Sequence, residues 1–255
     1  MSSRISNVAL PGSVFLLLTL AFELAGLAGL LPPTIPRPVK VVENMVGDGA
    51  VLWLHCRSTV LTAACGYAMA IGAAFSAGFL VHQHKALETA ALTIGTVLNS
   101  IPIIAVAPIL IIWMGVSWPM RITLTAFLCF FPIFVGMIQG LGATERNAGE
   151  LFLVLAATPA QRFWKLALPS ALPYIFLGLK IAAPLAVLGA LVAEWTGTET
   201  GLGVLMINAM FNFQMERLWA SVLIVCILSA GSYGALSLIE RVVLTADRTA
   251  DGIAP

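Results

Sequence analysis

The sequence predicts an all-α integral membrane protein with about six transmembrane helices. Hydrophobic residues make up 60% of the 255 residues and charged residues 10%, whereas a soluble domain has about 45–50% and about 25%. The mean hydropathy is +0.99. The apolar runs are continuous and about 20 residues long, as membrane helices require, unlike the alternating strands of an outer-membrane barrel, which span about ten residues. A soluble enzyme and a disordered chain are excluded, and a net charge of +1 provides no basic surface for nucleic acid.

Six apolar runs are long enough to be transmembrane helices: residues 11–31, 59–81, 86–114, 120–141, 173–195 and 218–244. The first run lies where a signal peptide would lie. However, Arg4 is the only positive charge before it, its apolar stretch exceeds the 7–15 residues of a signal-peptide core, and no small-residue cleavage site follows. We therefore expect an N-terminal helix and extracytoplasmic loop over residues 1–58, a transmembrane domain over residues 59–244, and a cytoplasmic tail over residues 245–255.

The distribution of basic residues predicts the orientation. If the N-terminus lies in the cytoplasm, eight Lys and Arg residues fall on the cytoplasmic side and five on the outside. Cytoplasmic loops carry the excess of positive charge in membrane proteins. We therefore expect both termini, and the loop at residues 142–172, to be cytoplasmic.

This cytoplasmic loop is predicted to form two short helices. Asn147 can cap the first helix, with Glu150 at the third helical position reaching back to it. Thr158 can cap the second helix in the same way, with Gln161 as its reciprocal partner. Both pairs are capping boxes, in which the side chain of each residue bonds the backbone of the other. Pro169 is expected to end the second helix, because the residue before a proline avoids helical geometry.

The predicted hairpin carries more apolar surface than an ordinary cytosolic loop. It is too short to span a bilayer, so it must pack on its own bundle, on the membrane surface or on another protein. The physical pattern alone leaves an interfacial hairpin and a protein-docking hairpin equally open. The apolar residues are Leu151, Phe152, Val154, Leu155, Phe163, Trp164 and Leu166.

The stretch ELFLVLAATPAQRFWKLALP, residues 150–169, resembles the EAA loop of ABC importer permeases. Glu150 matches the glutamate of the family pattern, Ala157 matches the alanine after its glycine, and the final Leu-Pro pair matches its end. Ala156 stands where the family has glycine. The resemblance implies that this loop couples the chain to an ATPase subunit through Asn147, Glu150, Leu151, Phe152, Leu155, Ala156, Ala157, Thr158, Gln161 and Pro169.

Four further stretches are similar to permeases of the nitrate/sulfonate/taurine type: residues 101–117, 129–141, 171–183 and 189–206. This resemblance implies the fold of a type I ABC importer permease in a bacterial cytoplasmic membrane. It also implies a second copy of the permease, two cytoplasmic ATPase subunits that bind ATP and Mg, and an extracytoplasmic substrate-binding protein. We expect no cofactor and no metal in this chain itself.

Three polar residues are candidates for the translocation path. Asn99 and Ser100 lie within the third apolar run, just before Pro102, where a kink is expected. They either line the path or form an interhelical hydrogen bond. Glu194 lies at the outer end of the fifth run, beside Trp195. It is either part of an outer gate or dock for the binding protein, or an ordinary interfacial carboxylate.

The sequence contains no GxxxxGK[ST] phosphate loop, HExxH or GxSxG, so we predict that the chain is not an enzyme and that a partner hydrolyses ATP. A self-contained secondary transporter is the alternative. It is disfavoured because the chain shows neither a series of intramembrane carboxylates nor a clear internal repeat. Residues 171–183, followed by AVLGALVAE at residues 186–194, resemble the vitamin-precursor branch of this family, which implies a vitamin or pyrimidine precursor as substrate. Lys180 is the only basic residue well inside a run, so we expect the binding protein to provide the discrimination.

Overall fold

The computed structural model describes residues 2–143, residue 152 and residues 154–250, and within these residues it consists of helices, turns and irregular segments, with no strand. The helices are α1 (Ser2–Leu27), α2 (Pro38–Gly47), α3 (Gly49–Gln83), α4 (Glu88–Asn99), α5 (Ile103–Met114), α6 (Trp118–Gly142), α7 (Leu168–Glu194), α8 (Leu202–Phe211) and α9 (Met215–Ala250). The all-α membrane fold predicted from composition is confirmed.

Four helical stretches are long and apolar enough to cross a bilayer: Gly49–Gln83, Trp118–Gly142, Ala160–Glu194 and Met215–Thr245. The third predicted run is divided into α4 and α5, which meet at an angle of 90°, and this pair provides a fifth span if it crosses as one unit. In α1 the apolar part covers Gly12–Leu27, which is shorter than the roughly 20 residues of a full span. A count of six spans therefore stays a prediction.

The break between α4 and α5 has a local cause. Pro102 has no backbone N–H and disfavours helical geometry at Ile101, so the α4 helix ends at Asn99 and α5 begins at Ile103. The kink that we expected beside Asn99 and Ser100 is present, but it is a break of the helix and not a bend within one continuous span.

Helix α6 is the centre of the bundle and packs against α3 on one side and α7 on the other. Small residues allow the backbones of α6 and α7 to approach closely. A Cβ atom added to Gly136 would lie 2.6 Å from the carbonyl oxygen of Tyr174, and one added to Gly140 would lie 2.8 Å from that of Ala171. Larger side chains at these two positions would separate the helices.

The bundle has two ends that differ in structure. At one end, here called the loop end, lie the last turn of α3, the last turn of α6 and the segment that leads into α7. At the opposite end lie the start of α3, the last turn of α7 and helix α8. An ion pair between Asp48 and Arg217, 2.7 Å long, joins the start of α3 to the start of α9 at this opposite end.

The segment before α7 corrects one of the sequence-based expectations. We expected Pro169 to end a short helix, but the chain is helical from residue 159 to residue 194, so that Pro169 lies in the first turn of α7. A π-helical turn, Phe163–Ala167, precedes it, and the N–H of Leu168 donates to the carbonyl oxygen of Phe163. This wider turn accommodates a proline that could not supply the regular α-helical hydrogen bond.

Candidate functional site

The first half of the predicted coupling loop lies outside the described residues. This holds for Asn147, Glu150 and Leu151, so their cap and their contacts stay predictions. The described part contains a helical Phe152 and Val154, the turn at Leu155–Thr158, and a one-turn helix, Pro159–Arg162, that continues into the π-helical turn.

A left-handed residue ends the first helix of the loop. Ala156 has φ 52°, and the N–H of Ala157 donates to the carbonyl oxygen of Phe152 at 3.0 Å. This is the Schellman arrangement, in which the left-handed position is usually occupied by glycine. Ala156 therefore stands at the one position of the turn where a side chain is unfavourable, and this explains why the family pattern has glycine there.

The second helix begins with the predicted capping box. The N–H of Thr158 donates to Oε1 of Gln161 at 2.9 Å, and the N–H of Gln161 donates to Oγ1 of Thr158 at 3.3 Å. Each side chain satisfies a backbone donor that has no partner inside the helix. The turn between the two helices is therefore held on both sides, by the Schellman bond and by the capping box.

The apolar residues of the loop point in two directions. Val154, Leu155 and Trp164 are 83%, 67% and 66% exposed. Phe163 is half-buried and packs with Met137 and Leu141 of α6. The loop is thus anchored on the bundle by Phe163 and presents an apolar face outward. Such a face marks a contact with a protein or a membrane.

Asn99 and Ser100 lie at the break between α4 and α5, and both are exposed. The hydroxyl of Ser100 donates to the carbonyl oxygen of Thr96 at 2.8 Å. Apolar side chains surround this break, with Val97 at 61% and Ile104 at 65% exposure. The structure therefore places a small polar spot within an otherwise apolar surface.

Glu194 is fully buried, and it shares no exposed surface with Asn99 and Ser100 in this conformation. Its Oε2 accepts the N–H of Gly203 at 2.7 Å. Gly201, with φ 142°, lies directly over the carboxylate, where a Cβ atom would collide with it. The sequence left open an interfacial position for the Glu194 carboxylate. In the structure the carboxylate is enclosed instead, because the loop that follows α7 folds back over the end of the helix.

Three side chains of α3 hold the same loop, and the sequence analysis assigned no role to them. Nδ1 of His55 lies 3.0 Å from the nitrogen and 2.8 Å from the oxygen of Gly201. Oγ of Ser58 is 3.1 Å from Oγ1 of Thr200. Oγ1 of Thr59 accepts the N–H of Leu202 at 2.8 Å. We name His55, Ser58, Thr59 and Glu194, together with the backbone of residues 200–203, the outer clasp.

A sequence signal for the outer clasp was available. Residues 55, 58 and 59 are polar and are separated by three and four positions, so they share one face of an otherwise apolar helix. Polar residues in such a position need partners. The partner is the Gly201-Leu202-Gly203 segment, whose glycines allow the backbone to approach the side chains closely.

Lys180 is the basic residue near the middle of α7, and its charge is compensated. Nζ lies 2.6 Å from Oε2 of Glu240 on α9, and the two side chains are 15% and 18% exposed. A buried charge of this kind is stable only when it is paired. The pair therefore joins α7 to α9 within the bundle.

Comparisons with known proteins agree with this architecture. Residues 66–244 match the model of the family described as "binding-protein-dependent transport system inner membrane component". The chain is 32% identical to the formylaminopyrimidine transport permease protein ThiX of Halalkalibacterium halodurans, over 92% of this chain and 94% of that protein. It is 28% identical to the putative aliphatic sulfonates transport permease protein SsuC of Bacillus subtilis, over 87% and 81% of the two chains.

A third relative is named for a different substrate. The chain is 27% identical to the riboflavin transport system permease protein RibX of Chloroflexus aurantiacus, over 92% of this chain and 90% of that protein. The matched region begins within α3 and ends within α9, so it includes the central helices, the predicted coupling loop, and Glu194 and residues 200–203 of the outer clasp, but not His55, Ser58 and Thr59. The chain belongs to the family of inner-membrane components of binding-protein-dependent transport systems, as an ABC importer permease of the nitrate/sulfonate/taurine type.

Proposed function

We propose that this permease forms the translocation path for a small vitamin precursor of the aminopyrimidine class. The observation that carries the proposal is the similarity to the formylaminopyrimidine permease, which extends over nearly the full length of both chains. Its identity of 32% exceeds the 28% to the sulfonate permease and the 27% to the riboflavin permease.

The pairing of Lys180 favours a substrate that carries no strong negative charge. A path for a sulfonate or bicarbonate gains from a cation that is available to the anion. Lys180, near the middle of α7, is already bound to Glu240 at 2.6 Å. To bind an anion, Lys180 would first have to lose this partner in a medium of low dielectric constant, which is costly.

Asn99 and Ser100 are proposed to line the path. They provide amide and hydroxyl groups at the break between α4 and α5, and both are exposed in a region that is otherwise apolar. A heterocycle with ring nitrogens and amino groups needs such hydrogen-bonding partners as it leaves water. Glu194 is proposed to act on the path indirectly, because its buried carboxylate holds the loop at the outer end.

The loop end is proposed to face the cytoplasm and to bind an ATPase subunit. The exposed Val154 and Leu155 supply an apolar contact surface, and the Schellman turn and capping box fix its shape. Two copies of the chain, two ATPase subunits and an extracytoplasmic binding protein would complete the importer. ATP binding would close the ATPase pair, and the loop would transmit that movement to the helices.

Uptake by the reconstituted importer tests the substrate. The chain would be purified with its ATPase subunits, reconstituted in liposomes with ATP inside, and supplied with the binding protein and a radiolabelled formylaminopyrimidine. We expect uptake that unlabelled formylaminopyrimidine abolishes and that excess taurine or riboflavin does not. A complex whose ATPase has lost its Walker-A lysine is the control and should be inactive. Uptake of taurine or riboflavin in place of the pyrimidine would contradict the proposal.

A further inference from the structure

Phe163 occupies an unusual position at the loop end of the bundle. It is the first residue of the π-helical turn Phe163–Ala167, directly after the capped helix Pro159–Arg162. Its half-buried side chain packs against the buried cluster that contains Met137 and Leu141 of α6. The loop is therefore attached to the core at this residue as well as through the chain itself.

The ring of Phe163 also reaches the last turns of α3. Its centroid lies 5.4 Å from that of Phe79, with the two rings at 83° to each other, and 6.0 Å from the ring of His82, at 52°. The first geometry is the edge-to-face arrangement that aromatic pairs prefer. Neither Phe79 nor His82 lies near Phe163 in sequence, so the contact joins two separate spans.

The end of α3 packs against Phe163 on one side and borders a cavity on another side. A cavity of about 160 Å³ lies between the end of α3 and helices α4 and α6, and it is lined by Gly78, Val81, His82 and Glu88 together with residues of α6. The last turns of α3 thus have space into which they can move when Phe163 is displaced.

The π-helical turn provides a place where the loop can bend relative to α7. Single π-helical turns are rare and occur frequently at functional sites. Here the turn lies between the rigid capping box of Thr158 and Gln161 and the tightly packed α7. A push on the loop would therefore deform this turn first and displace Phe163.

We propose that Phe163 is the positioning residue through which movement of the coupling loop reaches α3, with the π-helical turn as its hinge. This inference rests on the proposed coupling of the loop to an ATPase, but not on the identity of the substrate. Movement then travels along two routes, through the covalent connection to α7 and through the Phe163 ring to α3.

Distance measurements with spin labels test the second route. In a background without the native cysteines, one label pair would join Ala86 to Arg241 and report on the end of α3. A second pair would join Ala160 to Arg241 and report on the loop. All three positions are exposed. Distances would be measured in the complex with ATPase subunits, first without nucleotide and then after trapping with ATP, Mg²⁺ and vanadate.

In the wild-type complex we expect both distances to change on trapping. In Phe163→Ala we expect the loop distance to change as before, whereas the change at the end of α3 is lost. Phe163→Tyr keeps the aromatic ring, so the distance change at the end of α3 should be present in this variant. Lys165→Ala is the matched control, because Lys165 lies in the same π-helical turn and its side chain is exposed. We expect both labelled distances to change normally in this control.

The ATPase activity gives an independent readout. Phe163→Ala should retain the ATPase subunits and the basal hydrolysis rate. The rate of ATP-dependent uptake should fall by at least about threefold, as expected from the loss of aromatic pairs. A normal displacement of α3 in Phe163→Ala would overturn the inference. Failure of both Phe163→Ala and the milder Phe163→Leu to assemble would also overturn it, since Phe163 would then be purely structural. Failure of the wild-type chain to retain ATPase subunits would instead contradict the proposed function.

Discussion

The N–H of Ala157 donates to the carbonyl oxygen of Phe152 at 3.0 Å, across the left-handed residue Ala156. An alanine pays for this conformation with a contact between its Cβ atom and the following carbonyl group, which costs roughly 1–2 kcal/mol. We therefore predict that Ala156→Gly stabilises the turn by about 1 kcal/mol. Hydrogen exchange of the amides at positions 157, 158 and 160–162 should slow. Ala157→Gly, which changes a residue without positive φ, should not slow exchange, and equal protection in both variants would contradict the explanation.

The capping box gives a second prediction. Replacement of Thr158 by Ala removes the acceptor for the Gln161 N–H and should destabilise the start of the helix by about 1 kcal/mol. This is too little to unfold the bundle, but it should loosen the loop, so we expect weaker retention of ATPase subunits during purification. Thr158→Ser keeps the hydroxyl and should behave as wild type. The destabilisation caused by Thr158→Ala and that caused by Gln161→Ala should not be additive in the double variant, because the two residues act as a pair. Strict additivity would show that the two residues act independently.

The outer clasp gives a third prediction. Gly201→Ala should strongly reduce the yield of folded protein or disable transport, because the new Cβ atom would meet the Glu194 carboxylate at a backbone angle that favours glycine. Gly72→Ala is the control. Gly72 is helical and has open space around its Cβ position, so this change should be tolerated. Thermal unfolding in detergent and uptake would both be measured. Wild-type behaviour of Gly201→Ala would show that the loop is not held against Glu194.

A fourth prediction concerns pH. The Arg217 guanidinium donates to the Asp48 carboxylate and holds the pKa of Asp48 below its ordinary value of 3.8. A carboxyl whose pKa is lowered in the folded protein contributes stability above its ordinary pKa, and this contribution is lost as the pH falls through the folded value. Because both side chains are partly exposed, the contribution should be below about 1 kcal/mol.

Asp48→Asn should therefore lower the midpoint of thermal unfolding by the same small amount at pH 8 and pH 5. The difference in unfolding midpoint between Asp48→Asn and wild type should disappear as the pH falls below 3.8. Lys40 and Glu43 form an exposed pair nearby, so Glu43→Gln serves as the control for a general charge effect. A difference between Asp48→Asn and wild type that grows toward low pH would contradict the sign of this prediction.

A fifth prediction concerns the proposed path. Asn99→Leu should reduce transport while the chain still assembles with its ATPase subunits, because the amide is exposed at the helix break and supports no core contact. Val97→Leu, an apolar change at an exposed position two residues before Asn99, is the control and should transport normally. Normal uptake by Asn99→Leu would favour a hydrogen bond within the bundle, and failed assembly would favour a structural role.

Much of the fold could be predicted from the sequence, because apolar runs and proline positions are local signals. The capping box of Thr158 and Gln161 was predictable for the same reason, since four consecutive residues contain the whole pattern. Two features of the structure were not predictable. The spacing of residues 55, 58 and 59 indicates that this face of α3 needs polar partners, but the partners of the outer clasp lie about 140 positions away in the chain, and no local pattern identifies them. Continuation of the helix through Pro169 depends on a π-helical turn, which has no simple residue signature.

The π-helical turn has a consequence for how related permeases can differ. Each residue of an α-helix adds about 100° of rotation and 1.5 Å of length. A homologue with one residue fewer between Thr158 and Pro169 would replace the wide turn with a regular one and swing the capped helix by roughly 100° about the axis of α7. The same loop sequence would then face a different direction. Insertion or deletion of a single codon in this stretch would thus change the direction in which the loop faces. A permease could in this way come to bind a different ATPase subunit without any change in its contact residues.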